Sequence, residues 1–260
     1  MNALDVPHSV VAFAAAFLAG AINSIAGGGT LVSFPTLIWL GLPSVTANAT
    51  STVAIWPAAV SSMFGYRREL STAAPRMLLL VAPSLIGGIG GALLLRITPP
   101  ILFDALVPFL ILFATLLFMA QEPIQRKLKT ADGAARTSTH WLVGALVFQL
   151  FVALYGGYFG AGIGILMLAA MSIMGLSDIH QMNGLKNFFG GCVNGVAAVY
   201  FIWARMVYWP FVVIMAMGAI VGGYTGAGVA RRIGRTAVRR IVILIGFGMA
   251  VSLFVKFLAK

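Results

Sequence analysis

Apolar residues run in long stretches, and polar residues collect in the gaps between them. A helix needs about 20 mainly apolar residues to cross about 30 Å of hydrocarbon. Segment one covers 8–41 and is interrupted by Gly27-Gly28-Gly29; segments two, three and four cover 43–66, 72–95 and 99–119. A polar loop is expected at 121–139, with Arg126, Lys127, Lys129 and Arg136. Segment five covers 140–175 and is interrupted near Gly156-Gly157 and from Gly160 to Gly164; segments six, seven and eight cover 177–203, 207–230 and 236–258.

The halves resemble each other. A shift of 134 pairs Phe17 with Phe151, Ala19 with Ala153, Gly28 with Gly162 and Gly41-Leu42 with Gly175-Leu176. A shift of 135 pairs Gly87-Gly88 with Gly222-Gly223, Gly91-Ala92 with Gly226-Ala227 and Arg96 with Arg231. The ordered matches predict a duplication, the internal repeat from which many secondary transporters are built.

Segments one and five set the sidedness. If each crossed once, Arg67, Arg68, the central loop and Arg205 would share one side, and the Arg231–Arg240 cluster would take the other. If each is a hairpin, Arg67, Arg68, Arg76, the central loop and that cluster all fall on one side, leaving Arg96, Arg205, Lys256 and Lys260 opposite. The positive-inside rule prefers hairpins. Both termini are then extracytoplasmic and the repeats are inverted, with re-entrant and full-depth arms giving the same sidedness. The expected fold is an all-α integral membrane protein. Each repeat is a glycine-broken hairpin plus three transmembrane helices, in residues 1–120 and 140–260, joined by a cytoplasmic linker at 121–139.

Composition agrees. Hydrophobic residues make up 60 % of the 260 and charged residues 9 %, against about 45–50 % and about 25 % in soluble domains. Mean hydropathy is +1.00. These values exclude a soluble enzyme, a disulfide-stapled module and a disordered chain. The net charge of +11 sits mostly between apolar runs, so it reads as topology and not as nucleic-acid binding. Cys192 stands alone, so disulfide and CxxC chemistry are excluded. No Lys or Arg precedes residue 67, so a cleaved signal peptide is not expected and the first segment should be retained.

Two constellations could carry chemistry. Gly28, Gly29 and Thr30 open the returning arm of the first hairpin; Gly162 and Gly164 open that of the second. Helix N-termini carry partial positive charge and unpaired N–H donors, a natural anion site. Close helix packing through small residues is the competing use of these glycines. On segment six, His180, Asn183, Asn187 and Asn194 fall within about 60° of one another, with Lys186 flanking. Segment two offers Asn48, Ser51, Thr52 and Ser62 on one face, and Thr52 corresponds to Lys186. A lysine nine residues inside a spanning helix needs a partner or an aqueous cavity, unless it snorkels to the interface. Carboxylates are sparse: Asp104 lies early in segment four, Asp178 is placed to cap segment six, and Glu69, Glu122 and Asp132 are in loops. His8, His140 and His180 have no metal-ligand spacing, and no GxSxG nucleophile occurs. No cofactor is expected.

Asn23-Ser24-Ile25-Ala26-Gly27-Gly28-Gly29, Phe34-Pro35, Gly41, Ala47-Asn48-Ala49-Thr50-Ser51-Thr52 and Gly65-Tyr66-Arg67 resemble the first half of the sulfite exporter TauE/SafE family. Gly156 to Asn187 resembles its other repeat, as do glycine-rich segments three and seven. The chain departs from the pattern where Ala161 and Ile163 interrupt the second glycine cluster and Ala169 stands opposite Pro35. The resemblance implies movement of sulfur-containing anions such as sulfite or sulfoacetate across the bacterial inner membrane.

The expectation is an exporter of a small sulfur-containing anion, with the lipid bilayer as its surroundings and a homodimer as a compatible assembly. An inside-negative potential drives each negative charge outward by about 2.3 kcal/mol per 100 mV, so export needs no coupling ion. The rivals are a proton- or sodium-coupled importer of a small carboxylate or sulfonate, and a non-transporting membrane anchor or assembly factor. A membrane enzyme would need paired acids, a His cluster or a nucleophile motif.

Overall fold

The computed structural model describes residues 5–25, 28–65, 75–130, 139–174, 176, 179–233 and 235–258. The described secondary structure is helical throughout, which leaves no backbone group facing lipid unpaired. The helices are α1 (Val6–Ile25), α2 (Thr30–Trp39), α3 (Ser44–Gly65), α4 (Val81–Ile97), α5 (Pro100–Thr130), α6 (Thr139–Tyr158), α7 (Ile163–Ile173), α8 (Ile179–Trp203), α9 (Trp209–Ile233) and α10 (Arg235–Leu258). A 3-10 turn, Pro75–Leu80, leads into α4. Four described helices are long and apolar enough to cross a bilayer, with spans at Val6–Asn23, Pro75–Ile97, Pro100–Ala120 and Gln181–Trp203.

Segments one and five each become two helices. Gly28 (φ +104°) and Gly160 (φ +82°) break the chain in the left-handed region, which only glycine enters without strain. At about 1.5 Å per residue, α1 is about 30 Å long, whereas α2 and α7 reach only about 15 Å and 16 Å, half a bilayer. Two expectations need correcting. Gly156-Gly157 does not interrupt segment five: α6 runs through it to Tyr158, and Gly157 instead packs against the Gly88 backbone of α4. The loop expected at 121–139 is helical as far as Thr130, because Gln121, Glu122, Gln125, Lys127 and Lys129 are strong helix formers. Residues 131–138, like Gly27, lie outside the described residues.

The backbone repeats itself at a spacing of 134. Leu31 N–H donates to the Gly28 carbonyl, and Ile165 N–H to that of Gly162. Leu40 donates to Thr36 as Met174 does to Ala170, and Leu42 to Leu37 as Leu176 does to Met171. Packing repeats as well: α1 lies on α9 as α6 lies on α4, and α2 touches α10 as α7 touches α5. Directions can be read from the close approaches. Gly218 abuts the Phe13 carbonyl and Gly222 that of Phe17, so α1 and α9 run parallel. Gly87 abuts Leu150 and Gly91 abuts Leu154, so α4 and α6 also run parallel. Thr115 faces Gly246 while Phe109 stacks edge-on with Phe254, so α5 and α10 run antiparallel.

Two buried apolar clusters fill the interior. One centres on Phe34, Phe103, Phe118 and Phe201, the other on Met77, Met167, Met171 and Phe189. Large apolar side chains such as Ile86, Ile101, Phe151 and Leu244 point outward. That is the inverse of a water-soluble surface and fits a hydrocarbon solvent.

Candidate functional site

Each helix break is fastened by one side chain from the preceding arm. In the first, Gly29 N–H donates to Asn23 Oδ1 at 2.8 Å. In the second, the Tyr155 hydroxyl donates to the Ala161 carbonyl at 2.7 Å. The Tyr155 ring sits edge-on to Phe113, with centroids 5.5 Å apart. Phe159, one turn on, meets Phe34 of α2 at 5.3 Å, joining the two broken segments. Gly29 and Gly162, the residues preceding α2 and α7, make no side-chain cap. Leu31, Val32 and Ile165 donate back to the backbone, and the Thr30, Ile163 and Gly164 N–H groups are left without a capping side chain.

Both N-termini open on one cavity of about 60 Å³. Gly28 and Thr30 line it from the first break, and Gly160, Ile163 and Gly164 from the second. Lys186, Asn187, Gly190 and Asn194 of α8, Ile55 and Ala59 of α3 and Asn23 of α1 also line it. A water needs roughly 10–15 Å³ on this measure, so the space suits several waters or one small anion.

Lys186 supplies the charge. It is 5 % exposed, and Nζ donates to Asn183 Oδ1 at 3.2 Å. Among the described residues it makes no ion pair. Its stem lies along Gly164, the second residue of α7. Three positive features thus converge: an ammonium and two helix ends, each end equivalent to about half an elementary charge. Such a concentration is unfavourable unless an anion joins it.

The predicted residues divide. Gly28, Thr30, Gly164, Lys186 and Asn187 line the cavity. Gly29 is turned into α1, where a Cβ would collide with the Ala19 carbonyl. Gly162 adopts φ +78° beside Ala114 and sets the direction of α7. Asn183 reaches the cavity only through Lys186. Asn48 donates to the Tyr158 carbonyl at 2.9 Å and fastens α3 to the end of α6, whereas the Thr52 hydroxyl turns back to the Asn48 carbonyl of its own helix at 3.0 Å. Ser51, like Asn48, ties α3 to another element, sharing a 2.6 Å hydrogen bond with Ser33 of α2. The His180 side chain lies outside the described residues, as does Ser62. Sequence reasoning left Asn23 out of the site, although Asn23 heads the motif ending in Gly29. Asn194, two turns beyond Asn187 on the stripe read from the sequence, also lines the cavity.

The comparisons with known proteins agree with this architecture. Residues 12–253 match the family described as Sulfite exporter TauE/SafE. A "Probable membrane transporter protein" of Haemophilus influenzae is 26% identical over 244 residues, covering 94% of this chain and 93% of the relative. A "Probable membrane transporter protein ORF9" of Sinorhizobium is 27% identical over 242 residues, covering 93% and 90%. The "Probable membrane transporter protein YfcA" of Escherichia coli is 25% identical over 244 residues, covering 94% and 88%. No solved structure matches the chain. The chain belongs to the sulfite exporter TauE/SafE family, and is a multi-pass membrane protein of a transporter family and not an enzyme.

Proposed function

We propose that this protein exports a small sulfur-containing anion, sulfite or an organosulfonate such as sulfoacetate, across the bacterial inner membrane. The observation that carries this is the convergence of Lys186 and the N-termini of α2 and α7 on one cavity. The anion's oxygens accept from the Thr30, Ile163 and Gly164 N–H groups, which line the cavity, and from Lys186, while Asn187 and Asn194 set its orientation. The ammonium and the helix-end N–H donors favour an oxyanion over a cation.

Residues 1–120 and 140–260 form two inverted repeats about the cytoplasmic linker at 121–139, with both termini extracytoplasmic. The repeated hydrogen bonds support this division. The parallel α1–α9 and α4–α6 pairs and the antiparallel α5–α10 pair support the inversion. Trp56 Nε1 donates to the Gly191 carbonyl at 3.1 Å, across a separation of 135 residues. Under the shift that pairs Thr52 with Lys186, Trp56 corresponds to Gly190, so the bond joins near-equivalent positions; these touch only close to the axis relating the repeats, which in an inverted repeat lies at the midplane. Ile55 and Gly190, beside that contact, line the cavity.

A coupled importer would hold a cation beside the anion. The Asp104 carboxylate, which accepts from Ser44, lies about 16 Å along α3 from Ile55. Reconstituted protein should therefore move sulfite, sulfoacetate or thiosulfate without a proton or sodium gradient, and faster when the anion-loaded side is made negative. Transport that requires such a gradient would favour the importer.

A further inference from the structure

We infer that this protein is an anion exchanger at heart: an anion entering from the far side speeds the return of the carrier, which reorients poorly when empty. This rests on the anion site proposed above. The grounds are the surroundings of Lys186. Its ammonium is buried, it donates to the neutral Asn183 amide, among the described residues it makes no ion pair, and its stem is held along Gly164 at the start of α7. The other helix end, at Thr30, faces the same cavity.

Among the described residues, counter-charges of the chain's own are distant. Asp5 faces His8 at 3.9 Å near the start of α1. Asp104 accepts from Ser44 at the first residue of α3. Asp178 lies outside the described residues. Glu69, Glu122 and Asp132 fall outside the apolar stretches of the sequence.

Alternating access passes through an occluded state in which the site is closed to both sides. While the cavity is open, water hydrates the ammonium and the helix ends. Closing it expels water and strengthens every charge interaction within. With an anion aboard, the ammonium and the helix ends are neutralised. Without one, the occluded state holds a cation against two positive helix ends. A ligand shifts a conformational equilibrium by its differential affinity for the states, and here the anion favours the occluded state over the open ones. The loaded carrier therefore crosses readily and the empty one stalls. Net export goes on under the membrane potential, at a rate set by the empty return.

The test uses the full-length protein in proteoliposomes, with equal potassium on both sides and valinomycin to hold the potential at zero. Efflux of preloaded radiolabelled sulfite is followed into buffer containing either gluconate or unlabelled sulfite. External sulfite should accelerate the label's exit by about fivefold or more. Lys186→Met should bring the two rates together, and Lys186→Arg should keep them apart. Equal rates in the wild-type protein would overturn the exchange proposal while leaving the anion site standing. Absence of any sulfite or sulfoacetate movement would overturn the substrate assignment, and the exchange proposal with it.

Discussion

Lys186 lies across Gly164, so that a Cβ at residue 164 would stand 3.0 Å from Lys186 Cδ and 3.4 Å from Cγ. The missing side chain makes room for the stem that carries the ammonium to the start of α7. Gly164→Ala should displace the stem by a few tenths of an ångström. A flexible stem can yield, so stability should change by no more than about 1 kcal/mol. Anion affinity should fall roughly threefold to tenfold. Calorimetric titration alongside a melting curve checks both, and an unchanged affinity would mean that the stem's placement does not matter.

Gly28 and Gly162 both hold positive φ, but in different surroundings. A Cβ on Gly162 would meet only ordinary contacts near 3.6 Å, whereas one on Gly28 would stand 3.0 Å from the Phe118 ring. Gly162→Ala should cost the left-handed strain alone, about 1–2 kcal/mol, and Gly28→Ala should cost more. Gly28→Leu and Gly162→Leu should abolish transport. Melting temperatures in detergent order the alanine variants. A leucine variant that folds and transports normally would leave these glycines without a role.

Tyr155 binds the Ala161 carbonyl through its hydroxyl alone, while its ring packs independently on Phe113. Tyr155→Phe keeps the packing and leaves the carbonyl without that donor, at a cost of about 1–3 kcal/mol. A freed carbonyl at this turn also adds negative partial charge beside an anion site. Affinity for sulfite should fall, and Tyr155→Ala should lower stability further. A Tyr155→Phe protein matching wild type in both melting temperature and affinity would contradict this.

Helix positions were legible in the sequence because apolar runs, prolines and glycine clusters each have one local consequence. The breaks at Gly28 and Gly160 fall where the glycines predicted them. The extension of α5 to Thr130 was not legible from hydropathy, since a helix leaving the bilayer loses its apolar signature and keeps only its helix formers. Within the site, the stripe on α8 was readable because three- and four-residue spacing fixes a face. Asn48 and Thr52 share a face too, but which neighbour covers a face is decided by tertiary packing. There the Tyr158 carbonyl takes the Asn48 amide. Asn23 escaped because its role spans the break to Gly29, and helical periodicity stops at a break.

The sidedness can be tested with single cysteines placed in a Cys192→Ala background. Cysteines at Asp132 and Ala237 should react only with reagents that reach the cytoplasm, and one at Asp5 should react from outside. Labelling of positions 5 and 132 from the same side would be incompatible with inverted repeats.

The anion site itself is tested most directly by Lys186→Met, measured as sulfite affinity by calorimetry together with melting temperature in the same detergent. A charge-assisted hydrogen bond is worth about 1.5–3 kcal/mol, so affinity should weaken by roughly tenfold to a hundredfold. Lys186→Arg should retain part of it, because the guanidinium keeps the charge and alters the reach. The melting temperature should hold or rise, since a buried cation is removed. A stable Lys186→Met protein that binds sulfite as tightly as wild type would contradict a site built around this lysine.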